Sequence, residues 1–410
     1  MGEIEIRVGD VAPLLRGLTF DGEKARVVLF SEGVASGAQL EQPAVITVDL
    51  GGLTSADVAD HLVEAVGKRA RATSVVLCPP LGSFYLAADY DAAARLRDAF
   101  EAGSGLSGEP EGGSRAAERA PRSPAESQLF EAESRAHVVE DKVAVVTGGA
   151  QGFGEEIVRH LTAAGCHVFI ADLNEEGASK LAGELNAEHG RTCAFPVGVD
   201  IGNEDSVRRM VEKVVSTVGG VDLFVSNAGV LKAGSVKEIS AEEFELVTKV
   251  NYTGYFLCTK SVSPVMALQN RPSGCYYSDI IQINSKSGLE GSNKNGAYSG
   301  SKFGGIGLTQ SFALELVSDN IKVNSICPGN FFDGPLWSNP DRGLFVQYLR
   351  AGKVPGAKSV EEVKRYYENR VPMRRGCTGA DVIKAIYYVI EQKYETGQAV
   401  PVTGGQVMLS

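Results

Sequence analysis

From Lys142 onward the chain alternates two kinds of segment, and that alternation limits the fold more than any other feature. Short apolar runs, KVAVVT (142–147), HVFIADL (167–173), TCAFPVGVD (192–200), VDLFVSNAG (221–229), DIIQINS (279–285), IKVNSICPG (321–329) and QAVPVTGG (398–405), are separated by stretches with room for helices. A strand that is apolar on both sides has to be covered on both faces. Helices that cross from one strand to a parallel neighbour supply that cover. The expected fold class is α/β, with a doubly wound parallel sheet.

The first of these strands runs into TGGAQGFG (147–154). Glycines at 148, 152 and 154 let the backbone turn tightly and approach a pyrophosphate, and the helix that follows offers free N–H groups and a positive dipole end. Its apolar face is Phe153, Ile157, Leu161 and Ala164. A glycine-rich turn alone is a weak signal, but one placed between a strand and a helix is the Rossmann-type context. The next strand ends in Asp172, whose carboxylate can accept from both hydroxyls of an adenosine ribose and repels a 2′-phosphate. No Lys or Arg lies at 149–151 to compensate. NAD is the expected cofactor, rather than NADP. Asp200, ending the third strand, is either an adenine contact or a cap for the helix starting near Asn203.

Residues 101–137 are rich in Gly, Ser, Pro, Glu and Arg and show no sustained period, so they are expected to be a flexible linker, with AESQLFEAESRA as a short helix within it. The expected domains are a small α/β region over 1–100, the linker, and a nucleotide-binding domain over 138–410. In the first region IEIRV (4–8), RVVLF (26–30), AVITVDL (44–50) and SVVLC (74–78) read as strands, and 55–68 and 89–103 as helices. Its strand-Gly-Gly-helix stretch lacks the rest of the glycine pattern and reads as a turn that binds nothing. A regulatory role, an oligomerisation role and a degenerate remnant all stay open for it.

Composition narrows the partners. A net charge of −11 argues against a general nucleic-acid or anionic-membrane surface. The N-terminus is too polar for a signal peptide, and no apolar run of about 18 residues occurs. The seven cysteines are scattered with no C-x-x-C pair, which predicts reduced thiols and a cytoplasmic protein. The five histidines do not cluster, so no metal site is expected.

Taken in order, TGGAQGFG, Asp172, VDI (199–201), SNAG (226–229), VNYTGYF (250–256), INSKSG (283–288), YSGSK (298–302) and the PG at 328–329 resemble the short-chain dehydrogenase/reductase family over about residues 140–410. QINSKSG, AYSGSKFGGIGLTQSFALEL, VPMRRGC and VTGGQVM are similar to members of that family that interconvert sorbitol 6-phosphate and fructose 6-phosphate with NAD. The resemblance implies an NAD-dependent dehydrogenase acting on a polyol or sugar phosphate. An unphosphorylated polyol or other secondary alcohol is the alternative, and a non-catalytic NAD-sensing scaffold a third. It implies cofactor contacts at Gly148, Gln151, Gly152, Phe153, Gly154 and Asp172. Further contacts are expected at Asp200, Asn227, Ala228, Gly229, Tyr298, Lys302, Pro328 and Gly329. Asn227 is expected chiefly as a structural tie between neighbouring strands near the cofactor.

Hydride transfer from an alcohol needs a group that takes the hydroxyl proton. A free phenol, with a pKa of about 10, is a poor base near neutrality, and a nearby cation lowers that value. Tyr298 and Lys302, one turn apart, share a helix face. Tyr298 is expected as acid and base with Lys302 as its cation; the resemblance implies that Lys302 also holds the nicotinamide ribose, that Ser285 rather than its rival Ser287 holds the reacting oxygen, and that Asn251 serves a proton relay. For a 6-phosphate, the candidates are Lys286 and Arg375, with Arg374 also in reach. Lys294 reads as a solvated loop charge. Phe331, Phe332 and Trp337, in a segment where the family's usual threonine is missing, are lid core or substrate wall. The resemblance also implies a homo-oligomer, tetramer or dimer.

Overall fold

The computed structural model describes residues 6–32, 45–79, 81–102, 136–341, 343–350, 352 and 354–408. Nearly all of the predicted linker, with its short helix, lies outside the described residues.

Strands are numbered in chain order: β1 (Val27–Glu32), β2 (Val45–Thr47), β3 (Val75–Cys78), β4 (Gly82–Ala87), β5 (Val143–Thr147), β6 (His167–Asp172), β7 (Ala194–Gly198), β8 (Leu223–Ser226), β9 (Ser278–Ile283), β10 (Ile321–Pro328) and β11 (Ala399–Val402). The last seven form one sheet in the order β11-β10-β9-β8-β5-β6-β7, with every pairing parallel. This is the doubly wound, Rossmann-type α/β sheet expected from the alternation.

Successive side chains on a strand point to opposite faces, and the core divides accordingly. Val143 and Val145 pack with the helices Glu204–Val218 and Gly254–Asn270. Ala144 and Val146 pack with the helices Gly152–Ala163, Glu175–His189 and Gly379–Glu391. Between β10 and the last helix, three short helices, Pro335–Ser338, Leu344–Arg350 and Val360–Asn369, gather around Phe332, Phe345 and Val363 as a separate small core. None of the described helices is long and apolar enough to cross a membrane.

The N-terminal region forms a second sheet, β1-β4-β3-β2, antiparallel except between β2 and β3. Two features differ from expectation. Val8, placed at the end of a strand by the IEIRV reading, begins the helix Val8–Leu18. Asp10 accepts from the Arg7 amide at 2.8 Å and closes the first turn, while Val11, Leu14 and Leu15 are fully buried. Strand β4 was not expected. It is buried at every position and so shows no alternation to read.

This unit is joined to the nucleotide-binding fold by continuous core. The helix Val8–Leu18 and β1 pack on the helices Glu204–Val218 and Gly254–Asn270, and their apolar side chains belong to one cluster. At its centre Arg16, 1% exposed, donates to the buried carboxylate of Asp222 at 2.6 Å. Asp222 also accepts from the Val143 amide, Gln269 and the Tyr276 hydroxyl. The Phe20 and Tyr276 rings stack beside the network at 4.3 Å. Asp141, Thr192 and Asp222, which the unit touches, all precede strands. It therefore sits at the amino ends of the parallel sheet.

Candidate active site

Open parallel sheets bind ligands outside the carboxyl ends of their strands. There β5 passes into the helix Gly152–Ala163 through the predicted glycine turn. Gly148 has φ +62°, and a Cβ on it would lie 2.8 Å from Ala228 Cα. A Cβ on Gly154 would overlap the Gly148 carbonyl, so the helix can start directly beneath the turn. Gln151 is the N-cap residue but its side chain bonds no helix amide, which leaves the first amides open. Asn227 Nδ2 donates to the Thr147 and Gly148 carbonyls at 2.9 and 3.0 Å, and the Ala228 amide donates to Thr147 Oγ1. Asn227 thus ties the segment after β8 to the end of β5 and the glycine turn, the structural role expected of it.

The Asp172 carboxylate accepts from the Ala150 and Asn174 amides at 3.0 and 2.9 Å, which fixes it at the end of β6 against the turn. Open amides for a pyrophosphate, a backbone with no room for side chains and an anchored carboxylate for a ribose fit NAD. Asp200 accepts from the Gly202 amide at 2.9 Å, while Asn203 itself caps the following helix. Gly329 closes β10 by donating to the Val402 carbonyl at 2.9 Å.

Across the cleft, Ser285 follows β9 and its Oγ accepts from the Ser287 amide at 3.1 Å. Asn284 sets this register. It accepts from the Ser285 amide at 2.8 Å and donates to the Lys302 carbonyl at 2.9 Å, tying β9 to the helix Gly296–Leu316. Tyr298 and Lys302 project from that helix, with the Ser285 hydroxyl near enough to favour the Tyr298 phenolate. Ser287 is buried and contributes its amide, so Ser285 is the serine facing the phenol.

Lys302 is 5% exposed, and its Nζ donates to the Ile283 carbonyl at 3.0 Å and lies 5.6 Å from the centre of the Tyr298 ring. Burial pushes the ammonium down to about 8. Burial also raises Tyr298, and the nearby Ser285 hydroxyl pulls it back in part. The phenol is thus raised by burial rather than lowered by Lys302 as expected, and the Lys302 ammonium is turned to a carbonyl.

Asn251 lies in a widened turn, Lys249–Thr253. Its Oδ1 accepts from the Val230 amide at 2.8 Å, and its Nδ2 donates to the Val230 carbonyl at 2.9 Å and to Ser301 Oγ at 3.1 Å. Ser301 in turn donates to the Tyr298 carbonyl at 2.8 Å. Asn251 thus links the segment after β8 to the Tyr298 helix. Sequence reasoning passed over Asn284, Ser301 and Cys327. The last is buried near the end of β10. Their adjacency to INS, YSGSK and PG was the available signal.

The cations predicted for a phosphate separate. Lys286 is half-buried beside Ser285 and has no side-chain partner among the described residues. Lys294 is exposed with φ +56°. Arg374 donates to the Asn369 carbonyl at 2.7 Å. Arg375 is committed to Asp381 at 2.8 Å, at the edge of a cavity of about 390 Å³ that Met373, Thr403 and Gly404 also line. Of the three aromatics left open, Phe332 and Trp337 pack edge-on at 5.0 Å in the small core. Phe331 turns the other way and stacks on Phe153.

The short chain dehydrogenase family profile matches residues 142–338. The chain is 40% identical to sorbitol-6-phosphate 2-dehydrogenase of Escherichia coli K12 over 274 residues, spanning 65% of this chain and 99% of the relative. The crystal structure of a sorbitol-6-phosphate 2-dehydrogenase from Erwinia amylovora is 41% identical, with a TM-score of 0.59 over 65% of this chain and all of that one. A 3-ketoacyl-(acyl-carrier-protein) reductase from Brucella melitensis, solved with NADH, is 25% identical, with a TM-score of 0.55 over 66% of this chain and 99% of that one. With the parallel sheet, the glycine turn and the serine–tyrosine–lysine group in place, the chain belongs to the short-chain dehydrogenase/reductase family as an NAD-dependent oxidoreductase acting on CH–OH groups.

Proposed function

We propose that the protein interconverts a polyol phosphate and a ketose phosphate, foremost sorbitol 6-phosphate and fructose 6-phosphate, with Ser285, Tyr298, Lys302 and Asn251 as the catalytic group. The observation that carries the substrate is Lys286, half-buried next to Ser285 and with no side-chain partner among the described residues. The two sorbitol-6-phosphate dehydrogenases at 40–41% identity support the same reading.

Bound at the glycine turn and Asp172, NAD would supply the acceptor for the hydride of the alcohol carbon, and NADH the donor for the reverse reaction. Tyr298 takes the hydroxyl proton in oxidation and gives it back in reduction. Ser285 holds the reacting oxygen beside the phenol. Lys302 supplies positive charge one helical turn from Tyr298, where a charge acts more strongly than it would in water. Asn251 keeps Tyr298 in place through Ser301. Lys286 binds the phosphate by charge-assisted hydrogen bonding. Arg375 contributes only where the phosphate displaces Asp381. Exposed Phe244, Phe256 and Phe303 on neighbouring helices suit a homo-oligomeric assembly.

Replacing Lys286 with Ala tests the assignment. KM for sorbitol 6-phosphate rises about tenfold or more, the worth of a charged hydrogen bond, while the KM for NAD is unchanged. An unchanged KM for the sugar phosphate removes Lys286 from the site and favours an unphosphorylated alcohol.

A further inference from the structure

Phe331 and Phe332 are adjacent in sequence but serve different walls. Phe332 is 1% exposed and anchors the small core against Trp337 and Phe345. Phe331 is half-buried, and its ring stacks on Phe153 with centroids 4.3 Å apart and planes 14° from parallel. Phe153 is the second residue of the helix Gly152–Ala163, where the first amides are open. Pro335 closes on the same turn: a Cβ at Gly152 would be 3.8 Å from its Cδ. A tight turn from the Phe331 carbonyl to the Gly334 amide, 3.1 Å, holds this arrangement. Asn330 is held from behind by Gln406 Oε1 and by the Cys377 amide. The segment after β10 is therefore held from behind and meets the glycine turn through the Phe153–Phe331 pair and Pro335.

We infer that the Phe153–Phe331 stack is the closing contact of the cofactor cleft, with Phe331 a positioning residue that holds the segment 330–335 against the glycine turn and retains the dinucleotide. This rests on the NAD reading of the site. It also accounts for the missing threonine of this segment: an aromatic contact fixes the segment where a hydroxyl is absent.

NADH binding by fluorescence titration and stopped-flow release tests it without turnover. Phe331→Leu keeps an apolar side chain and loses the stack, so its Kd for NADH rises roughly threefold to tenfold, mainly through faster release. Phe331→Tyr keeps the stack and stays within about twofold of the parent, a rescue that a purely structural role would not require. Phe153→Leu weakens NADH at least as much as Phe331→Leu, and the double variant is no weaker than Phe153→Leu alone, because the stack is already gone. An unchanged or tighter Kd for Phe331→Leu, or additive losses in the double variant, overturns the inference. Failure of the parent protein to bind NADH overturns instead the cofactor reading beneath it.

Discussion

At the scale of single residues the site carries a cost in stability. Lys302 is buried without a carboxylate partner, and burial lowers it from its ordinary value to about 8. The unfolded chain binds this proton more tightly, so the penalty is complete below about pH 8 and fades as pH rises towards the free-lysine value of about 10.5. Lys302→Met therefore abolishes turnover, and its stability relative to the parent declines by about 1–3 kcal/mol between pH 7 and pH 10.5, measured by urea unfolding at each pH. A gap that does not change with pH contradicts the buried, charged lysine. Tyr298→Phe removes the proton carrier, so kcat falls by about 10²-fold to 10⁴-fold while NADH still binds, as fluorescence titration reports. The residues that carry this chemistry were legible because they lie close together in the chain: Ser285 to Lys302 spans a strand end, a loop and one helical turn. Their charge balance was not legible, since the enclosure that raises Tyr298 comes from the packing of separate strands and helices.

At the scale of elements the N-terminal helix Val8–Leu18 is fastened by Arg16. Burial alone would raise the Asp222 carboxyl, but Arg16, Lys142, Tyr276 and the Val143 amide together hold it below its ordinary value. A buried ion pair adds little net stability over apolar packing, yet breaking it strands a charge. Arg16→Ala is expected to destabilise the protein by about 3–5 kcal/mol in denaturant unfolding, and Arg16→Met with Asp222→Asn to recover part of that loss. No recovery in the double variant would place the cost in packing. Sequence could not show this pair, because 206 positions separate its members and neither lies in a motif. The same limit hid Phe331 from Phe153. The parallel strands, by contrast, were legible from their continuous apolar runs, while β4 and the helix Val8–Leu18, in a region with no repeating unit, were not.

At the scale of the molecule, two ends of one sheet have separate tasks. The carboxyl ends carry the glycine turn, Asp172, Ser285 and the segment after β10, and the amino ends carry the N-terminal unit. That unit shares apolar core with two helices of the nucleotide-binding fold, so deleting residues 1–136 exposes a contiguous apolar face. The shortened chain is expected to aggregate or to melt well below the full chain in a thermal scan. A shortened chain that is soluble with an unchanged Tm would show the unit to be dispensable for stability. The central claim concerns the other end, and its most direct test is the initial rate of NADH formation from NAD with sorbitol 6-phosphate and with sorbitol, compared in the parent protein. The account predicts turnover of the phosphate ester with a kcat/KM far above that for sorbitol; turnover of sorbitol alone, or of neither, would contradict it.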